Sequence, residues 1–281
     1  MAIVYLNGEF LPLEDARISV LDRGFTFGDG VYEVLPVYRR QIFRLNEHLN
    51  RLDNSLTSIH MLNPLTLEQW RVILMTLVER CPEDNQSLYV QITRGVSERD
   101  HSISLATKPT IFAMCKPLIK CDYSNGIRAV TCEDIRWKWC HIKAITLLPS
   151  VLLRYEAAEK DATEAILLKD DFVTEGAASN VFIVQQGVVK TPPKGDNILP
   201  GITRDLVIEL LIGTGIPCRE IKISRKELVS ADEIWITSST WEIVPVIELD
   251  GKTIGNGRPG KMWGKAMDIY QEFKKNMTVS N

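Results

Sequence analysis

The stretch that most constrains this chain is Thr174-Glu175-Gly176-Ala177-Ala178-Ser179-Asn180, set between the apolar runs Glu164-Ala-Ile-Leu-Leu168 and Val181-Phe182-Ile183-Val184. Short runs of aliphatic and β-branched residues, bounded by glycine and small polar residues, are strands. The pattern predicts strand, tight turn, strand, with the Glu175 carboxylate held at the turn. A turn acid is ordinarily a solvated residue. Its meaning here depends on the rest of the chain.

Bulk properties set the class. With 281 residues the chain is long enough for one large domain or two modest ones. A formal charge of −3 and plentiful aliphatic residues argue against disorder and against a nucleic-acid partner. Six cysteines, Cys81, Cys115, Cys121, Cys132, Cys140 and Cys218, form no CxxC pair, which points to a reducing compartment and to no metal site. No basic segment leads into an apolar core at the N-terminus, and no apolar run is long enough for a bilayer. A cytoplasmic enzyme without membrane contact is the expectation.

Asn7-Gly8 between Ile3–Leu6 and Glu9–Leu11 is a hairpin signal. The glycines of Leu21–Gly30 do not follow GxGxxG and no strand-glycine-helix unit surrounds them, which excludes a dinucleotide site. Val31–Leu35 is a strand. Phe43–Leu56 has helical spacing with Asn46 as the expected N-cap, and nothing local chooses Arg51 over Arg44 as a ligand. Leu67–Arg80 is a second helix capped by Thr66. Ser87–Thr93 and Pro109–Cys115 are strands, separated by a polar loop containing Arg99-Asp100-His101, a pair of donors able to bind a carboxylate. The polar break at Lys116–Gly126 predicts two domains, 1–119 and 120–281.

In the second half, an extended Arg136–Lys143 would turn Trp137, Trp139, His141 and Lys143 to one side. An apolar neighbourhood after Lys143 would leave it a free amine able to condense with a carbonyl, although a strand-end lysine reaching solvent fits equally well. Pro149–Lys160 is an amphipathic helix. Gly201-Ile202-Thr203 leads into a helix from Arg204 to Ile212, with Thr203 near the cap, and helix N-termini attract anions. Glu233–Ile236 ends in the hydroxyl cluster Thr237-Ser238-Ser239-Thr240.

Taken together, Arg136-Trp-Lys-Trp-Cys-His-Ile-Lys143, Thr174-Glu175-Gly176 and Leu199-Pro-Gly-Ile-Thr-Arg204 resemble the fold-type IV pyridoxal-phosphate enzymes over essentially the whole chain, most nearly the D-amino acid aminotransferases. The resemblance implies an α+β fold of two domains: a small N-terminal α/β domain and a larger C-terminal domain on a β-barrel-like sheet, with pyridoxal 5'-phosphate at their interface. It implies that Lys143 carries the cofactor and is the catalytic residue, that Glu175 bonds the pyridine nitrogen, and that Arg51, Ile202, Thr203, Ser238 and Ser239 hold the phosphate. Leu199 matches the residue packed on the ring.

Arg99 and His101 match the pair that, with Tyr32, traps the substrate α-carboxylate, reaching across from the other subunit of a homodimer. His141 stands where the family has an acid and Trp241 where it has a small residue, so Trp241 would shape the side-chain pocket. The implied reaction is ping-pong transamination from a D-amino acid such as D-alanine to a 2-oxo acid such as 2-oxoglutarate. Alternatives are aminodeoxychorismate lyase, an L-branched-chain aminotransferase, or a catalytically silent paralogue that binds the cofactor.

Overall fold

A computed structural model describes residues 2–103, 107–119 and 122–277. The chain is α+β and falls into two compact units, Met1–Ile119 with Ile142–Leu147, and Lys120–His141 with Leu148–Asn281. The segment carrying Lys143 therefore packs with the first unit although it follows residue 119.

The first unit contains β1 (Ile3–Leu6), β2 (Glu9–Pro12), α1 (Arg23–Phe27), β3 (Gly30–Tyr38), β4 (Gln41–Ile42), α2 (Leu45–Ser58), α3 (Leu67–Arg80), β5 (Gln86–Thr93) and β6 (Thr110–Pro117). Its six strands form one sheet in the order β2-β1-β6-β5-β3-β4. Positive φ at both Asn7 and Gly8 closes the first hairpin. On α3, Trp70, Ile73, Leu74 and Leu77 are buried against the sheet, and Thr66 with Gln69 forms a capping box at its start. α2 buries Leu49, Leu52 and Leu56 on the same core. Its N-cap is Arg44, in a left-handed conformation, and not Asn46, because Leu45 already packs onto that core.

The second unit contains β7 (Ile127–Glu133), α4 (Leu148–Glu159), β8 (Glu164–Lys169), β9 (Phe172–Gly176), β10 (Asn180–Gln185), β11 (Val188–Thr191), α5 (Ile202–Gly213), β12 (Cys218–Glu220), α6 (Arg225–Val229), β13 (Glu233–Ser238), β14 (Glu242–Leu249), β15 (Lys252–Thr253) and α7 (Lys261–Met277). Among the described residues its nine-stranded sheet runs β12-β11-β10-β13-β14-β7-β8-β9, with β15 on β14.

That order explains the curl of the sheet. β9 lies at one edge and β10 five places away, yet only Ala177, Ala178 and Ser179 join them. In a flat sheet the gap would be about 24 Å at ~4.8 Å per strand. Three residues reach roughly 10 Å, so the sheet bends into a part-barrel. The strands flanking Glu175 are thus not a hairpin pair as expected: β9 pairs with β8, and β10 with β11 and β13. Glu175 lies within β9 and is buried, not at an exposed turn.

Arg136–Lys143 also departs from expectation, being irregular along its length. The Cys140 amide is drawn to the Asp196 carbonyl at 2.7 Å, a long-range bond that replaces a sheet partner.

Candidate active site

In the first unit, β3 and α2 place a buried charge cluster. Glu33 is fully buried and accepts from Arg51 Nε at 2.7 Å and Nη2 at 2.9 Å, and pairs with His48 Nδ1 at 2.8 Å. Burial alone would raise the Glu33 carboxyl, but the Arg51 guanidinium and His48 overcome this and hold it well below the usual carboxylate range. Burial also lowers His48, so the neutral ring donates from Nδ1 to the ionised acid. One turn apart on α2, His48 and Arg51 share a face.

Lys143 belongs to this unit. Its amide donates to Ser55 Oγ at 3.2 Å, and its carbonyl accepts from the Tyr32 amide at 2.9 Å. Its Nζ lies 4.3 Å from the centroid of the Tyr32 ring. The lysine is half-buried and the following Thr146 and Leu147 are exposed, so its surroundings are less apolar than the expectation.

Arg99 and His101 converge on one ring: the Arg99 guanidinium is 5.3 Å and the His101 ring 5.4 Å from the Phe27 centroid. Both side chains are exposed. Arg23 anchors their loop by donating to the Asp100 carbonyl at 2.7 Å. Residues 104–106, further along, lie outside the described residues.

In the second unit, Glu175 is the centre. Between the pairs Ile166–Gly176 and Leu168–Val173 the register shifts, so Thr174 and Glu175 together oppose Leu167. Such a bulge re-aims side chains. Glu175 Oε1 pairs with Arg136, and Oε2 accepts from Asn180 Nδ2 and from the Leu199 amide, each at 3.0 Å. Arg136 is itself held by Asp134, 2.8 Å from Nη2. Burial pushes the Glu175 carboxyl up to about 7, although Arg136 pulls it down.

The N-cap of α5 is Gly201, with no side-chain cap, and Thr203 lies near it in the first turn, the helix opening two residues earlier than expected. A Cβ on Gly201 would overlap Asn180 Oδ1. Ile202 and Thr203 occupy the first helical turn and are buried. At the end of β13, Ser238 Oγ accepts from the Trp241 amide at 3.2 Å, with Ser239 next in the chain. Trp241 packs 5.2 Å from the Tyr123 ring and carries the Arg154 guanidinium 5.0 Å from its centroid. His141 Nδ1 lies 3.2 Å from Asp196 Oδ1.

Glu33, His48, Asp134, Arg136 and Asn180 were not among the expected site residues. His48 and Arg51 were readable as a helical i, i+3 pair. Asp134 with Arg136, two residues apart, and Asn180, five residues after Glu175, are local pairs without a motif, while the links from Arg136 to Glu175 and from Arg51 to Glu33 join separate elements.

The family model described as amino-transferase class IV matches residues 30–249. The chain is 38% identical to a D-alanine aminotransferase of Bacillus licheniformis over 261 residues, 92% of each chain. It is 36% identical to one of Staphylococcus haemolyticus over 97% of this chain and 98% of that protein. The crystal structure of the Escherichia coli branched-chain amino acid aminotransferase superposes with a TM-score of 0.90 at 26% identity, covering 96% of this chain and 93% of that one. Another branched-chain amino acid aminotransferase, from T.th. and complexed with N-(5'-phosphopyridoxyl)-L-glutamate, gives 0.87 at 26% identity, covering 96% and 93%.

Class IV aminotransferases work through pyridoxal phosphate, and the residues present fit it. The buried Thr237 Oγ1 has no hydrogen-bond partner among the described residues, beside Ser238 and in the hydroxyl cluster that closes β13. The uncapped α5 terminus, which excludes a side chain at Gly201, adds backbone donors suited to a phosphate. From residue 30 to residue 249, and in near-full-length likeness to its relatives, the chain belongs to the class IV aminotransferase family.

Proposed function

We propose that this enzyme moves the amino group of a D-amino acid such as D-alanine to a 2-oxo acid such as 2-oxoglutarate, by a ping-pong mechanism. The observation that carries the reading is the 34–38% identity to D-alanine aminotransferases over nearly the whole chain.

Lys143 would hold the cofactor, Glu175 its pyridine nitrogen, and Arg51 with the Ile202 and Thr203 amides, Ser238 and Ser239 its phosphate. Leu199 would pack on the ring. When bound, pyridoxal phosphate supplies an electron sink for charge developing at the substrate α-carbon. Lys143 Nζ, freed by the incoming amine, takes the α-proton and returns it. Tyr32, 4.3 Å from that nitrogen, limits where it can swing. Glu33 fixes the Arg51 guanidinium through two bonds, so the phosphate grip needs no reorganisation.

Arg99 and His101 would bind the substrate α-carboxylate by charge-assisted bonds. Both are exposed on Phe27, which supports their use by a second copy in a homodimer. α4 supports the same dimer: Leu148, Val151, Leu152 and Tyr155 recur at helical spacing with more than half of each side exposed. Among the described residues no helix is long and apolar enough to cross a membrane, and five cysteines are free. Free thiols support a reducing, cytoplasmic setting.

A second reading, transfer from an L-branched-chain amino acid, is favoured by the fold neighbours at 26–30% identity. Steady-state release of the 2-oxo acid from D-alanine and from L-leucine, each with 2-oxoglutarate, separates the two. Turnover of D-alanine alone is expected; turnover of L-leucine alone moves the assignment to the second reading.

A further inference from the structure

Glu164 opens β8, is fully buried, and has no place among the residues that would hold the cofactor. Its Oε1 accepts from the Ala165 amide and its Oε2 from Ser179 Oγ, both at 3.0 Å. The nearest cation, Arg154, stands off at 3.8 Å and is partly exposed. Burial raises the Glu164 carboxyl above its ordinary value. Such a group is costly in a core and an apolar side chain of the same size would pack there without that cost. What the acid adds is its hold on the link after β9, through the Ser179 hydroxyl and the Ala178 amide.

Ser179 closes the three-residue link between β9 and β10. Its carbonyl accepts from the Gly176 amide at 2.6 Å, and a Cβ on Gly176 would overlap its hydroxyl. The Ala177 amide is tied to the Ala165 carbonyl at 2.9 Å, so the link is fixed on β8 from two sides. The next residue, Asn180, donates Nδ2 to Glu175 Oε2 at 3.0 Å and to the Leu199 carbonyl at 2.9 Å. A path therefore runs from the Glu164 carboxylate through the Ser179 hydroxyl and one peptide unit to the Asn180 amide and Glu175.

We propose that Glu164 is a positioning residue: by holding Ser179 it sets the Asn180 amide against Glu175, and so the place from which that acid meets the cofactor ring. The proposal rests on the role given to Glu175 above. A packing role and a positioning role separate, because leucine fills the space without a polar group, whereas glutamine keeps one acceptor oxygen for the Ala165 amide and an NH2 that can donate to the Ser179 hydroxyl.

The test compares holoenzymes carrying E164L, E164Q, S179A, E164L/S179A and E175Q by two readouts, the dissociation constant for pyridoxal phosphate and the pH midpoint of the bound cofactor's absorbance. E164L and S179A are each expected to weaken the cofactor roughly 3- to 10-fold, the worth of one hydrogen bond, and to move the midpoint in the direction E175Q moves it. E164Q should stay near the parent, and the double variant should be no worse than E164L alone, since the bond that S179A removes is already lost in E164L. An E164L protein with the parent's affinity and midpoint, beside an E175Q protein with both altered, overturns the proposal and spares the reading of Glu175. Unaltered values in E175Q overturn both. If E164L does not fold, S179A, which loses only a hydroxyl, carries the same expectation, and parental values in S179A overturn the proposal.

Discussion

Glu33 and Arg51 are locked face to face inside the first unit, with two N–H···O bonds of 2.7 and 2.9 Å between a fully buried carboxylate and a guanidinium that is itself buried. Removing one member of a buried pair leaves the other uncompensated, at a cost of about 3–5 kcal/mol. Glu33→Ala should therefore lower the unfolding free energy by an amount of that order and weaken the cofactor, read by denaturant titration and by cofactor binding.

The same pair gives an acid signature. The Glu33 carboxyl is held below its ordinary value of 4.5, so its stabilising contribution is complete above that value and is lost as pH falls beneath it. The parent should lose stability more steeply than Glu33→Gln on acidification below pH 4.5. Parallel curves would remove the ion pair from the account.

Glu175 has the opposite sign. Burial raises its carboxyl from 4.5 to about 7, so in the protein stripped of cofactor its favourable contribution is complete below pH 4.5 and is lost as pH rises through 7. The melting temperature of the stripped parent should fall across that window relative to Glu175→Gln, whose side chain does not titrate. The same variant should lose most amino transfer.

Gly201 tests the mouth of α5. Its backbone, φ −67°, suits any residue, so the objection to a side chain is steric: a Cβ would overlap Asn180 Oδ1 and crowd Asn180 Cγ and Arg204 Cβ. Gly201→Ala should cost about 1–3 kcal/mol by overpacking and displace Asn180 from Glu175. A melting curve and the absorbance of the bound cofactor check both parts.

Arg99 and His101 should separate substrate from cofactor. Arg99→Ala and His101→Ala are expected to raise KM for D-alanine and leave cofactor affinity as in the parent, because Arg23 still holds the loop backbone through the Asp100 carbonyl when either contact with the Phe27 ring is lost. A fall in cofactor affinity would contradict the role given to the pair.

What was legible in the chain was local. Thr66 and Gln69 sit three residues apart and cap Leu67–Arg80, and Asn7-Gly8 closes its own hairpin. That two strands meet near Glu175 was equally plain, but that Glu175 lies inside the first of them and that the two do not pair was not, since the curl of the sheet depends on the order of strands far along the chain. For the same reason Arg136–Lys143 looked extended: the bond from Cys140 to Asp196 spans more than fifty residues. Thr203 was expected near the cap and lies two residues from it, but the helix opens at Ile202 rather than Arg204, and close packing against Asn180 reserves the cap itself for Gly201. Glu33, placed on β3 without any motif, becomes visible only when α2 folds onto that strand.

The central claim is amino transfer from a D-amino acid by the cofactor that Lys143 would carry, and single-turnover mixing tests it directly. Purified holoenzyme is mixed with D-alanine, and separately with L-leucine, with no acceptor present, while the cofactor's absorbance and the 2-oxo acid released are followed. With D-alanine the account predicts one pyruvate per cofactor and a matching loss of the initial absorbance, with neither change for L-leucine or for Lys143→Ala. Pyruvate-free mixing with D-alanine by a fully loaded enzyme would contradict it.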